Sequence, residues 1–239
     1  MFKSARGVGA IVAVLGFAFL AGCGGPSVTR EGPPAEAPAY RVGDRWVYKA
    51  QDGFRNPVVW EEVHEVTAMG ASGIAVRITQ QGPGVNTDRT EDWAAPGLVR
   101  RGAVFDAETR IFTKPLTRFA FPMHPGQSWR EWVDNFNETT GRTGTFSRWV
   151  SVNGWGKVTT PAGSFDALHL RVSMRLDDDE FWREATQASY VLWYAPAVRA
   201  TVREEKEAEY RERGAGPRAM PIRSQSSVME LVSFTPGKN

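Results

Sequence analysis

The sequence predicts an all-β protein: one large curved antiparallel sheet or incomplete barrel with little helix, built from two similar meanders. Three observations carry that reading. Apolar and polar residues alternate with a period of two in one segment after another. Gly and Pro break the alternation at short intervals. Landmarks of the first half of the domain recur in the second half in the same order.

The clearest alternation sets Leu168, Leu170, Val172, Met174 and Leu176 against His169, Arg171, Ser173 and Arg175. One face is apolar and the other wet, as an antiparallel strand with one solvated side requires. Ile74, Val76 and Ile78 repeat the pattern, as do Val198, Ala200 and Val202. Residues 187–194 (QASYVLWY) and 227–234 (SVMELVSF) are dense in strand formers. Turns are expected at Gly82 to Gly84, Pro96 to Gly97, Pro125 to Gly126, Pro161 to Gly163 and Gly214 to Pro217. The charged stretch 200–213 (ATVREEKEAEYRER) has helix-favouring composition, but it continues an alternating strand and lacks an apolar stripe at helical spacing.

The recurring landmarks are short. Gly43 to Trp46 (GDRW) returns as Gly126 to Trp129 (GQSW), and Val66, Thr67 with Ile74 to Ile78 return as Val158, Thr159 with Leu168 to Val172. Trp93 to Pro96 (WAAP) returns as Trp193 to Pro196 (WYAP), the offset rising from 83 at the first pair to 100 at the last. Loop insertions produce such a drift, and two meanders that cannot cover their apolar faces alone would join into one sheet.

The chain divides into 1–22, 23–39, 40–236 and 237–239. Lys3 and Arg6 precede an uncharged apolar run from Gly7 to Leu20, the layout of an export signal. The run is shorter than the roughly 20 apolar residues needed to cross a bilayer. Leu20, Ala21, Gly22 and Cys23 resemble the bacterial lipobox at all four positions. That resemblance implies cleavage before Cys23, a diacylglyceryl thioether on its sulfur and further acylation, such as palmitate, at the new amino terminus. Two or more chains make a durable membrane anchor. Gly24 follows the cysteine where an aspartate would hold a proteobacterial lipoprotein in the inner membrane, so the resemblance implies the outer membrane facing the periplasm. Residues 24–39 hold four prolines and no large apolar side chain except Val28, and are expected to be a disordered tether. The single domain then spans 40–236.

Charge excludes little but is informative. The chain has 29 Lys and Arg against 27 Asp and Glu. With Lys3 and Arg6 removed the balance is even, so net charge gives no support for a nucleic-acid partner. Cys23 is the sole cysteine, so the fold stands without disulfides.

Residues 158–168 (VTTPAGSFDAL), the WYAP at Trp193 to Pro196 and the closing 230–234 (ELVSF), with GDRW near the start, resemble a family of uncharacterised exported bacterial proteins. The resemblance implies a β-rich fold and an envelope location, and brings no catalytic residues. The anchor and curved sheet are also similar to the envelope's lipoprotein-localisation and lipid-carrier half-barrels.

No catalytic, metal or cofactor site is expected. His64, His124 and His169 are far apart and none has a second ligand at metal spacing. Asp177 to Glu180 lacks the spacing of a calcium loop and is expected to be a solvated hairpin turn. There is no GxSxG, and the one cysteine is committed to lipid. The basic stretch Tyr210 to Arg223 is expected to be an exposed connection. Nine tryptophans stand out, and the stretch containing Trp129, Trp132, Phe136, Phe146, Trp149 and Trp155 holds more aromatic area than one sheet face needs. Those six are the candidate ligand-binding residues, lining the concavity. The expected function is non-catalytic binding of a lipid or other apolar envelope ligand. The alternative is a structural or protein-interaction module of the envelope without a small-molecule ligand.

Overall fold

Period-two alternation leaves each strand one face to bury, and the chain buries those faces by wrapping the sheet upon itself. The computed structural model describes residues 27–53, 55–105, 107–176, 182–214, 216 and 220–238. The signal segment, Cys23 and the acidic run Asp177 to Glu180 lie outside the described residues. A two-residue strand β1 (Val28–Thr29) is followed by β2 (Arg45–Asp52), β3 (Val58–Gly70), β4 (Gly73–Gly82), β5 (Val85–Ala95), β6 (Leu98–Gly102) and β7 (Arg110–Thr117). The second half contributes β8 (Ser128–Asn137), β9 (Arg142–Thr160), β10 (Gly163–Leu176), β11 (Thr186–Ala195), β12 (Ala200–Tyr210) and β13 (Ile222–Thr235). From β2 onward each strand pairs antiparallel with the next, and β13 pairs with β2. The curved sheet therefore closes into a barrel. Ten pairs from Ser128↔Ser151 to Asn137↔Arg142 join β8 to β9, while the mid-chain seam between β7 and β8 has three, from Arg110↔Asn137 to Phe112↔Asn135. Closure removes the free edges an open sheet would expose. Pro196 ends the β11 ladder and starts a single 3-10 turn, Pro196–Val198.

The two meanders are β2 to β7 and β8 to β13. Their entry turns carry the same backbone bonds: Gly43 N to Val66 O at 2.8 Å and Val66 N to Asp44 O at 2.9 Å in the first, Gly126 N to Val152 O at 2.7 Å and Val152 N to Gln127 O at 2.8 Å in the second. Gly43 and Gly126 have φ of 88° and 85°, which only glycine adopts freely. Each meander then has a bulge at the same place, between Val66 and Ala68 in β3 against β4, and beside His169 and Leu170 in β10 against β9. Pairing across these bulges makes Val66 equivalent to Val152 and Val76 to Leu170. Two of the expected landmarks shift accordingly. Val158 and Thr159 are not the counterparts of Val66 and Thr67; they lie in extra ladder beyond the bulge, where the β9–β10 hairpin runs longer. Trp93 corresponds to Tyr194 rather than Trp193, because the bulge of β11 against β12 falls between those two residues as that of β5 against β6 falls between Asp92 and Trp93.

Two apolar clusters fill the barrel. One gathers Met123, Phe146, Val150, Leu170, Val172 and Tyr194; the other Tyr40, Trp46, Val76, Ile78, Trp193 and Leu231. Trp93 packs against both. Each fully buried side chain of this size contributes about 1.5–3 kcal/mol.

The stretch expected to be a free tether is docked from Val28 to Ala35. β1 pairs with β9 at Val28↔Gly156 and Thr29↔Trp155, the Trp155 indole donates to Pro33 O at 3.0 Å, and Ala35 exchanges two 2.9 Å backbone bonds with Met123. The reason lies in β9. It outruns β8 beyond Ser151, leaving backbone donors and acceptors that the incoming chain satisfies.

An interior cavity as candidate functional site

One end of the barrel interior is not filled. A cavity of about 630 Å³ is enclosed mainly by the inward faces of β2 to β5, β12 and β13. Its floor is Tyr40 and Trp46, the latter fixed by its indole donating to Val198 O at 2.7 Å. Its rim, at the other end of the strands, includes Asp52, Val58, Asn86 and Phe105. The volume is within the roughly 300–1,000 Å³ typical of small-molecule sites.

Alternation decides what faces inward. On β3 it aligns Trp60, Glu62 and His64; on β4, Ile78 and Gln80; on β5, Thr87, Arg89 and Glu91. Glu62 is 7% exposed and fully engaged: it accepts from Trp60 Nε1 at 3.1 Å and Gln80 Nε2 at 2.7 Å on one oxygen, and its other oxygen lies 2.7 Å from His64 Nε2. Burial works against its charge, but the hydrogen bonds from His64 and Gln80 outweigh it and hold the carboxyl well below the usual carboxylate range. Glu91, 2% exposed, accepts from Trp93 Nε1 at 2.8 Å, Ala103 N at 3.1 Å, and Arg118 Nη1 and Nη2 at 2.9 and 3.2 Å. Burial again raises its pKa, and the Arg118 guanidinium more than reverses this. Lys206 Nζ meets Glu204 at 2.6 Å along the cavity face of β12. Burial also pushes the Tyr48 hydroxyl far above its ordinary pKa, leaving it a neutral hydrogen-bonding group.

Arg89 differs from its neighbours. Its Nε and Nη1 are buried and have no hydrogen-bond partner among the described residues. It acts on Glu62 and Glu91 only through space, favouring the ionised form of both.

The second meander serves as an internal control. Where the first has Glu62, His64, Gln80, Arg89 and Glu91, the equivalent positions of the second hold Arg148, Val150, Met174, Tyr190 and Leu192. Four of those five pack in the apolar cluster. The shared fold does not need carboxylates there, so the ionised lining belongs to the cavity.

No family model matches the chain, and no curated protein matches it by sequence. Among solved structures it is similar to an exported-protein candidate of Bacteroides fragilis with a YmcC-like fold, at 13% identity and a TM-score of 0.50 over 84% of this chain and 99% of that one. A lipoprotein candidate of Parabacteroides distasonis gives 14% identity and a TM-score of 0.46 over 85% of this chain and all of that one. The likeness is one of fold.

The six aromatic residues expected to line a concavity do not come together. Phe146 is buried in the apolar cluster, and Trp129 packs beside it with its indole bonded to Thr117 O at 3.1 Å. Trp155 holds the amino-terminal segment at Pro33. Trp132, Phe136 and Trp149 stand on the outer wall, 56%, 41% and 58% exposed. None of the six lines the cavity. The cause is the alternation itself: Trp132 and Phe136 share the outward face of β8 with Arg130 and Asp134, whereas Val133 and Asn135 point in. Among the histidines, His64 lies at the cavity, His124 in the turn before β8 and His169 against Trp193, ring centroids 4.6 Å apart. Among the described residues no group of three potential metal ligands comes together.

Sequence reasoning missed the cavity lining. A usable signal was present on β3, where Glu62 and His64 alternate in step with Trp60 and buried Val66. On β5 there was none, since Asp88, Thr90 and Asp92 make the outer face as polar as the inner.

Proposed function

We propose that this protein is an exported, membrane-anchored envelope lipoprotein whose barrel binds an amphipathic ligand, a lipid or other apolar envelope molecule with a polar end, without chemistry on it. The observation that carries the reading is the cavity of about 630 Å³, walled by Tyr48, Trp60, Phe105 and Met229, with the buried carboxylates Glu62 and Glu91 and the guanidinium of Arg89 in its lining. Both buried carboxyls are held ionised by donors, which suits them to position groups rather than to give up protons near neutral pH. The lipobox residues support a lipid anchor on Cys23, and together with the description of the Bacteroides fragilis structure they support export.

The docked segment orients the barrel in this reading. Four residues separate Cys23 from Val28, and the chain between the two reaches at most about 18 Å. Because β1 runs antiparallel to β9, that reach starts beside the β9–β10 turn, at the end opposite the cavity rim. The rim therefore faces away from the anchoring bilayer. Outer-membrane placement follows the Gly24 argument and is part of the proposal.

A second reading, an interaction module that docks an envelope protein, draws on the exposed Trp132, Phe136, Trp149 and Ile111 of the outer wall. Mass spectrometry decides between them. The full chain with Cys23→Ser, purified without detergent, is expected to retain a stoichiometric extractable amphiphile and to bind a dansyl-labelled fatty acid. Empty extracts together with no probe binding would reject the carrier reading. Intact mass of the native membrane-extracted chain, beginning at an acylated Cys23, checks the anchor.

A further inference from the structure

Glu62 and Glu91 have their oxygens taken by Trp60, His64 and Gln80, and by Trp93, Ala103 and Arg118. Glu204 is held by Lys206, and Arg199 by Asp44 at 2.7 Å. Among the described residues of the lining, Arg89 leaves two guanidinium nitrogens, Nε and Nη1, buried without an acceptor, where Arg199 leaves one, its Nε. A buried donor without a partner costs about 1–3 kcal/mol, more when charged. Nε–H and Nη1–H lie on different edges of the guanidinium, so each can donate to a separate oxygen, and either makes with Nη2 a planar fork toward one carboxylate or phosphate. The rest of the lining around β2, β3 and β13 offers aromatic and aliphatic walls: Tyr48, Trp60, Val228 and Met229.

We infer that Arg89 is the head-group receptor of the cavity, taking the carboxylate or phosphate end of an anionic amphiphile whose apolar body lies against Tyr48, Trp60 and Met229. This rests on the carrier reading above and adds to it the charge of the ligand and the residue that reads it. The second meander agrees, since Tyr190 occupies the position equivalent to Arg89 where the barrel is packed and no ligand is accommodated.

The test is competition against a dansyl-labelled fatty acid bound to the full chain carrying Cys23→Ser. Dodecanoate and dodecyl phosphate are expected to displace the probe at least tenfold better than dodecanol, and inorganic phosphate not to displace it. Arg89→Met is expected to abolish the anion preference while leaving the dodecanol affinity within about twofold, and Arg89→Lys to restore part of it. Dodecanol binding by Arg89→Met also shows that the variant is folded. An anion preference that survives in Arg89→Met overturns the inference and leaves the carrier reading standing. Equal displacement by inorganic phosphate overturns it too, since the apolar body then plays no part. Failure of every amphiphile to bind the parent chain overturns both.

Discussion

Glu91 and Arg118 provide a sharp stability test, because the second meander shows what the barrel does without them. Glu91→Leu introduces the residue found at the equivalent position, Leu192, which is buried in the apolar cluster. The change removes a carboxylate with four donors and strands the Arg118 guanidinium beside the Trp93 ring, 5.7 Å from its centroid. Breaking one side of a buried pair costs about 3–5 kcal/mol, because the remaining charge is left desolvated. For a domain of this size each kcal/mol moves the melting temperature by about 2–4 °C, so the variant is expected to melt roughly 6–20 °C lower. Arg118→Met should be similarly damaging, since it leaves the Glu91 charge buried with only Trp93 Nε1 and Ala103 N. The double variant is expected to recover at least about 2 kcal/mol relative to the sum of the singles, since an apolar pair of similar volume is tolerated where a lone charge is not. Thermal melts followed by far-ultraviolet circular dichroism, with urea titration as a second measure, give the full cycle. Additive single effects, or a neutral Glu91→Leu, would refute the claim that the pair is an internally compensated buried unit.

Two further expectations follow from the same residues and from the aromatic set. Glu62→Gln is expected to lower stability at pH 7 by about 1.5–3 kcal/mol through loss of charge-assisted hydrogen bonds. A carboxyl whose folded pKa lies below its unfolded value stabilises above the unfolded value and loses that contribution as pH falls toward the folded one; the gap between parent and variant should therefore narrow from about pH 4.5 downward in melts at stepped pH, and a gap that widens in acid contradicts the assignment. Phe146→Ala, removing a ring that is 1% exposed, is expected to cost about 3–5 kcal/mol, and Trp149→Ala, at 58% exposure, to change the unfolding free energy read from urea titration by less than about 0.5 kcal/mol.

Much of the architecture was legible because it is written in alternation, which is local. The strand from Leu168 to Leu176 buries all five of its apolar residues, and the charged stretch after Ala200 is strand β12 rather than helix. The repeat was visible in its glycines and tryptophans, but its register was not: bulges at Thr67 and Asn153 shift pairing by one residue, and nothing in either residue type announces a bulge. Closure of the sheet depends on β13 pairing with β2 from the opposite end of the chain, a property of the whole barrel. The aromatic surplus misled for a physical reason. Trp132 and Trp149 contribute nothing to the core because they sit on outward positions, whereas the cavity is lined by Glu62, Arg89 and Glu91, residue types that ordinarily mark a wet face. Only burial within a closed barrel gives those residues their meaning. Docking of Val28 to Ala35 was hidden likewise, since it depends on β9 outlasting β8.

The six-plus-six plan also bears on descent. A lone six-stranded unit has two raw edges and one greasy face, and it reaches the closed state only by meeting its own copy about a twofold axis. In such a homodimer every substitution is made twice, and a new interior acid always appears at both symmetry-related positions. Fusing the copies into one polypeptide lifts that constraint. One unit can then keep Val150, Met174 and Leu192 as ballast while its twin explores His64, Gln80 and Glu91, so the asymmetry of this barrel is of a kind that a symmetric ancestor could not have carried.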